Sequence, residues 1–153
     1  MTLSADVIKA LQGKTLATAE SCTGGMIGAY LTGIPGSSAV YKGGIISYTN
    51  EIKQKLLGVP EEILTQFGAV SAPVAEAMAL GAKKTLNADV AISVTGLAGP
   101  GGDDYGNPVG TVYIGYCDAS CCLSRHYRFD GDREEVRKQA VTHALMLILE
   151  HNS

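Results

Sequence analysis

Apolar positions recur at two different periods along this chain, and the changes of period outline its elements. Val7, Ile8 and Leu11 stand at helical spacing within Ala5 to Leu11, and Gly13 stops that run. Lys14 to Ala19 predicts a short strand that breaks off at Glu20-Ser21-Cys22-Thr23-Gly24-Gly25, after which Met26 to Leu31 resumes as helix. Beyond a turn at Pro35-Gly36-Ser37-Ser38, Ala39 to Tyr48 is rich in β-formers, and Gly43-Gly44 inside it marks a bulge or a close backbone approach. Asn50 opens a helix through Leu57, Pro60 to Gln66 predicts another, and Ser71 caps a third that holds Pro73 in its first turn and ends near Leu86. Ala88 to Thr95 is apolar without clean alternation, as expected of a strand covered by helices on both faces. A glycine-rich loop, Gly96 to Pro108, follows. Val109 to Tyr116 and Cys122 to Phe129 predict a hairpin, which makes the sheet mixed. Asp132 and Glu135 have the spacing of a capping box, and the last helix runs to about Glu150 with Val136, Ala140, Ala144, Leu145 and Ile148 toward the sheet.

No repeat or charged linker interrupts this order, so the expectation is one α/β domain over residues 1–153. With 46% apolar residues, the chain can bury one sizeable core and is short for two. A net charge of -3 argues against nucleic acid as a partner, while a few local cations can still serve a small anion. The first residues lack the basic start and apolar run of a secretory signal. Ala144 to Leu149, the longest apolar stretch near the end, falls far below the roughly 20 residues that span a bilayer, so the expectation is a cytoplasmic protein with no membrane partner. Cys22, Cys117, Cys121 and Cys122 show no zinc spacing, and free thiols are expected; no metal and no cofactor are implied. His126, His143 and His151 are not placed beside any nucleophile by the sequence.

Four stretches could carry chemistry. In Thr18 to Gly25 a strand feeds a helix through a turn with hydroxyls and two glycines, where outward N–H groups can hold an anion or a developing oxyanion. Ser21 or Thr23 serving only as a helix cap explains the same residues. Tyr48 to Lys53 lies at a strand-to-helix switch. With no histidine placed to help, the base for a serine nucleophile would be a lysine of lowered pKa, and Tyr48 could relay a proton, although a helical lysine is ordinarily a solvated charge. The loop from Gly96 to Gly110 matches neither a dinucleotide nor a triphosphate fingerprint, and it can line a cleft or simply be flexible. Arg133 and Arg137 share one helical face and could grip a phosphate, or pair with Glu134 or Glu135.

These stretches, together with Pro35-Gly-Ser-Ser38, Gly68-Ala-Val-Ser71 and Pro108-Val-Gly-Thr-Val112, resemble the CinA C-terminal domain family over nearly the whole chain. Stand-alone members of that family include nicotinamide-nucleotide amidohydrolases. The resemblance implies a single three-layer α/β/α domain, a homo-oligomer, and metal-independent hydrolysis of nicotinamide mononucleotide to nicotinic acid mononucleotide and ammonia. By position it implies Ser21 as nucleophile, Lys53 as base and Tyr48 as proton-relay partner. Candidate substrate contacts are Thr23, Gly24, Gly25, Gly44, Asn50, Gly96, Ala98, Gly99, Arg133 and Arg137. Asp103-Asp104-Tyr105 makes the glycine-rich loop acidic, which favours the arginines or the Thr23-Gly24-Gly25 turn for a phosphate. Two alternatives use the same residues: Cys22 as the nucleophile, or a catalytically silent nucleotide-binding module.

Overall fold

A computed structural model describes residues 2–153. Five strands form one sheet: β1 (Leu16–Glu20), β2 (Tyr41–Ile46), β3 (Val90–Gly96), β4 (Thr111–Cys117) and β5 (Cys122–Arg128), in the spatial order β2-β1-β3-β4-β5. β2, β1 and β3 run parallel, while β4 and β5 are antiparallel additions, so the mixed sheet expected from the hairpin is present. Among the described residues six α-helices, and a single 3-10 turn at Ser37–Ala39, complete the fold: α1 (Thr2–Ala10), α2 (Met26–Thr32), α3 (Asn50–Leu57), α4 (Glu61–Phe67), α5 (Ala72–Thr85) and α6 (Arg133–Asn152).

The helices divide between the two faces of the sheet, giving the three-layer α/β/α arrangement. On one face α1, α2 and α6 pack Val7, Leu11, Ile27, Leu31, Val141 and Ile148 against the large side chains of β3 and β4, among them Ile92, Val94 and Ile114. On the other face α3, α4 and α5 meet small residues, Ala17, Ala19 and Ala91. Ser93 on this face donates to the Ala75 carbonyl of α5 at 2.6 Å. β1 is buried along its whole length, which explains why β1 and β3 lack alternation in the sequence: both of their faces are covered.

Several local signals are realised as read. Asp132 accepts from the Glu135 N–H while the Glu135 carboxylate accepts from the Asp132 N–H, completing the capping box of α6. The β1–β2 register shifts between Leu16 and Ala17, a bulge at the expected Gly43 region. Ser71 precedes α5 but its hydroxyl donates to the Gly68 carbonyl and caps no helix N–H. The cysteines correct an expectation. Cys117 and Cys122 face each other directly across β4 and β5 with Cα atoms 4.1 Å apart and are joined as a disulfide, whereas Cys22 and Cys121 are free. No helix among the described residues is long and apolar enough to cross a membrane.

The closeness of α5 to its neighbours makes a sign-deciding test. Gly81 lies in the interior of α5, where helix propensity favours alanine by about 1 kcal/mol. A Cβ there would overlap the Leu57 carbonyl of α3, which is backbone and cannot turn aside. Gly81→Ala is therefore expected to destabilise by about 1–3 kcal/mol despite its better propensity, measured as a lower urea midpoint.

Candidate active site

β1 ends beside β2 on one side and β3 on the other, at the point where the chain's direction of winding reverses, and the C-terminal ends of these strands open onto a shared crevice. Ser21 follows β1 directly, with its N–H held by the Val94 carbonyl of β3 at 3.0 Å. The Ser47 N–H, just past β2, donates to the Glu20 carbonyl at 2.7 Å, so the two chain ends stay side by side beyond the sheet. Thr49 then caps α3 by accepting from the Ile52 N–H, and this abrupt helix start turns Lys53 back over the end of β1. Lys53 Nζ lies 3.1 Å from Ser21 Oγ and donates to the Ser47 carbonyl at 2.7 Å.

Both partners are out of water: Lys53 is 1% exposed and Ser21 7%. Burial disfavours the ammonium, and the Lys53 pKa falls from an ordinary value near 10.5 to about 8, opposed by Cys22 beside it. Burial acts on Cys22 in the opposite sense, pushing its thiol up to about 11 and holding it protonated near neutral pH. The pair Ser21–Lys53 thus joins a hydroxyl to an amine that can be neutral at physiological pH, the arrangement a serine nucleophile needs.

Glu20, 2% exposed, organises the turn that carries Ser21. Its carboxylate accepts from the Thr23 hydroxyl at 2.7 Å and from the N–H groups of Gly25, Ile27 and Gly28 at 3.0–3.1 Å. The donors at the start of α2 are thereby satisfied by the chain's own anion. Among the described residues, the N–H groups of Cys22 and Thr23 donate to no oxygen, while those of Ser21, Gly24 and Gly25 are committed.

A cavity of about 290 Å³ opens over this pair. Ala69, Val70, Leu97 and Ala98 give it apolar walls, and Ser21, Lys53 and Thr95 face it as polar groups. Tyr48 and Arg133 stand at its mouth, where Arg133 donates to the Gly99 carbonyl at 2.6 Å and to the Tyr48 hydroxyl at 3.2 Å. Among the described residues, no carboxylate lines the cavity. The CinA C-terminal domain family matches residues 1–151 of this sequence. The chain belongs to that family. It is 51% identical over 125 residues to a CinA-like protein of Geotalea uraniireducens, covering 82% of this chain and 30% of that protein, so it spans about a third of the length of such relatives. It is 46% identical over 151 residues to the nicotinamide-nucleotide amidohydrolase PncC of Escherichia coli K12, covering 97% of this chain and 92% of that one. The crystal structure of the competence/damage inducible protein CihA from Agrobacterium tumefaciens is similar at a TM-score of 0.95, with 42% identity over 99% of this chain and 94% of that chain.

This CinA C-terminal domain brings together some of the residues expected at its site and separates others. Ser21, Tyr48, Lys53, Gly96, Ala98, Gly99 and Arg133 line the cavity. Asn50 lies outside it, in an adjoining hollow with Val70, Leu97 and the Asp103–Tyr105 stretch. Gly44 is within the sheet, where any side chain would overlap the Thr18 hydroxyl and displace its 2.7 Å hydrogen bond with Tyr41. Thr23 and Gly25 are engaged by Glu20, and Arg137 donates to the carbonyls of Cys22 and Thr23 at 2.9 and 3.4 Å. The charge of Asp103 in the acidic loop is held by the loop's own dipoles, because its carboxylate accepts from the Tyr105 and Asn107 N–H groups and from the Asn107 amide. Sequence reasoning passed over Glu20 and the Ser47 carbonyl. For Glu20 a signal existed: a carboxylate closing an otherwise uncharged, buried strand needs buried partners.

The depressed Lys53 pKa carries a stability consequence. Below pH 8 the unfolded chain holds a proton on this amine that the folded site disfavours, so the site costs stability there, and the cost disappears as pH rises from about 8 to 10.5. Lys53→Met removes that cost and loses the hydrogen bonds to the Ser47 carbonyl and the Ser21 hydroxyl. We expect it to be more stable than the parent at pH 7 by on the order of 1–2 kcal/mol, and to lose this advantage at pH 10, in urea denaturation at both values.

Proposed function

We propose that this chain hydrolyses the carboxamide of nicotinamide mononucleotide, giving nicotinic acid mononucleotide and ammonia, with Ser21 as nucleophile, Lys53 as base and Tyr48 as proton-relay partner. The observation that carries this reading is the buried 3.1 Å approach of Lys53 Nζ to Ser21 Oγ under a cavity with a cationic mouth. The similarity to the Escherichia coli amidohydrolase over nearly both chains supports the substrate.

In the reaction, neutral Lys53 takes the Ser21 proton as Oγ attacks the amide carbon. The N–H groups of Cys22 and Thr23 stabilise the oxyanion. Lys53 returns the proton to the departing nitrogen, with Tyr48 positioned at the mouth to assist, and ammonia leaves an acyl ester on Ser21. Water then attacks that ester, Lys53 accepts its proton and restores it to Ser21 Oγ, and the acid is released. No step needs a metal. Ala69, Val70, Leu97 and Ala98 suit a flat pyridine ring, and the exposed Arg133 guanidinium suits the phosphate at the opening.

Ammonia release from nicotinamide mononucleotide, without added metal, tests the reading. Ser21→Ala is expected to lose at least about 1,000-fold in kcat, whereas Cys22→Ser keeps turnover because the buried thiol is held protonated. Binding without ammonia release by the parent protein would replace this reading with a silent nucleotide-binding module. A second test is the pH profile. Since only neutral Lys53 can act as base, kcat/KM should rise with pH through a limb near 8 and level off above it. A rate that is flat from pH 6 to 10 contradicts Lys53 as the base.

A further inference from the structure

Arg133 and Arg137 stand one helical turn apart on α6, yet their guanidinium groups go to different places. Arg133 is exposed at the cavity mouth, on the Gly99 carbonyl and the Tyr48 hydroxyl. Arg137 is half-buried behind the Ser21 turn, with Nε on the Cys22 carbonyl at 2.9 Å and a terminal nitrogen 3.4 Å from the Thr23 carbonyl. It is not among the residues that line the cavity.

The turn itself has little intrinsic rigidity, because Gly24 and Gly25 both sit at positive φ, 58° and 106°. Its order comes from outside. Glu20 collects the Thr23 hydroxyl and the N–H groups of Gly25, Ile27 and Gly28, and Arg137 collects the carbonyls on the other side. A peptide unit is planar, so a guanidinium that fixes the Cys22 carbonyl also fixes the direction of the Thr23 N–H. That N–H is one of the two in the turn free to meet an oxyanion.

We propose that Arg137 is a positioning residue for the nucleophile turn, acting through the Cys22 and Thr23 carbonyls to orient the oxyanion donors, and that the charged end of the substrate is met by Arg133 and not by Arg137. The proposal rests on the amidohydrolase reading for its choice of substrates.

The experiment compares Arg137→Ala with the parent on nicotinamide mononucleotide and on nicotinamide riboside, which lacks the phosphate. We expect kcat to fall about 10- to 100-fold on the nucleotide with KM within about twofold, the riboside to lose kcat/KM by the same factor, and millimolar guanidinium to restore much of the rate. Arg133→Met, by contrast, should raise KM for the nucleotide. An Arg137→Ala enzyme with a raised KM for the nucleotide and unaltered riboside turnover would make Arg137 a phosphate ligand and overturn the proposal. A loss that guanidinium does not restore overturns it as well, because that marks a general folding defect. If the parent protein releases ammonia from neither amide, the functional reading fails separately. The positioning role is then read from the rate at which a fluorophosphonate labels Ser21, followed by mass spectrometry. Labelling slowed about tenfold in Arg137→Ala and rescued by guanidinium supports it, and labelling at the parental rate refutes it.

Discussion

An amine removed from water must either shed its proton or find an anion, and Lys53 is buried against a hydroxyl and a carbonyl, with no carboxylate among the described residues that line the cavity. That constraint governs the rest of the structure. The lysine can be held there only because β1 and β2 finish side by side, Ser47 is tied to Glu20, and α3 starts within one turn of the strand. The energy lost by burying the amine lowers its basicity and leaves a larger fraction of it neutral near physiological pH, beside the Ser21 hydroxyl.

The distribution of charge around the turn follows from the same economy of buried groups. A helix start next to two glycines is an anion site in waiting, and here the chain supplies the anion itself through Glu20. This leaves Arg133 as the cationic feature of the cavity mouth, while Asp103 spends its charge on the fold of its own loop. The loop is further held by Tyr105, whose hydroxyl donates to the Thr65 carbonyl at 2.7 Å, and by Asn107, whose amide donates to the Val70 carbonyl at 3.1 Å. A segment that composition alone would leave mobile therefore forms a wall of the cavity.

On the opposite side of the sheet, small residues let α5 approach closely. Ala17, Ala19 and Ala91 give that face a shallow profile, and Gly115 opposes the Ala75 carbonyl where any side chain would collide. The large apolar residues lie instead beneath α1, α2 and α6, so the two layers are packed by different means. This asymmetry brings the start of α5, with Ala69 and Val70 just before it, over the ends of β1 and β3, which is where the cavity needs its second wall.

Much of this was readable from residues in order. Helical spacing, the two-sided burial of β1 and β3, the Asp132–Glu135 box and the hairpin are properties of short segments, set by local sterics and by the side-chain period. The motifs of the family were equally local, and they marked Ser21, Tyr48 and Lys53. What short segments do not encode is which distant groups meet. Two arginines one turn apart look equivalent until packing sends one to the cavity mouth and the other behind the turn. Cys117 and Cys122 look like unrelated thiols until the strand register sets them face to face. The sequence by itself determined the elements and the kinds of chemical group available; tertiary structure decided their distances and their exposure to water, and those two quantities set the pKa of Lys53 and the reach of its amine.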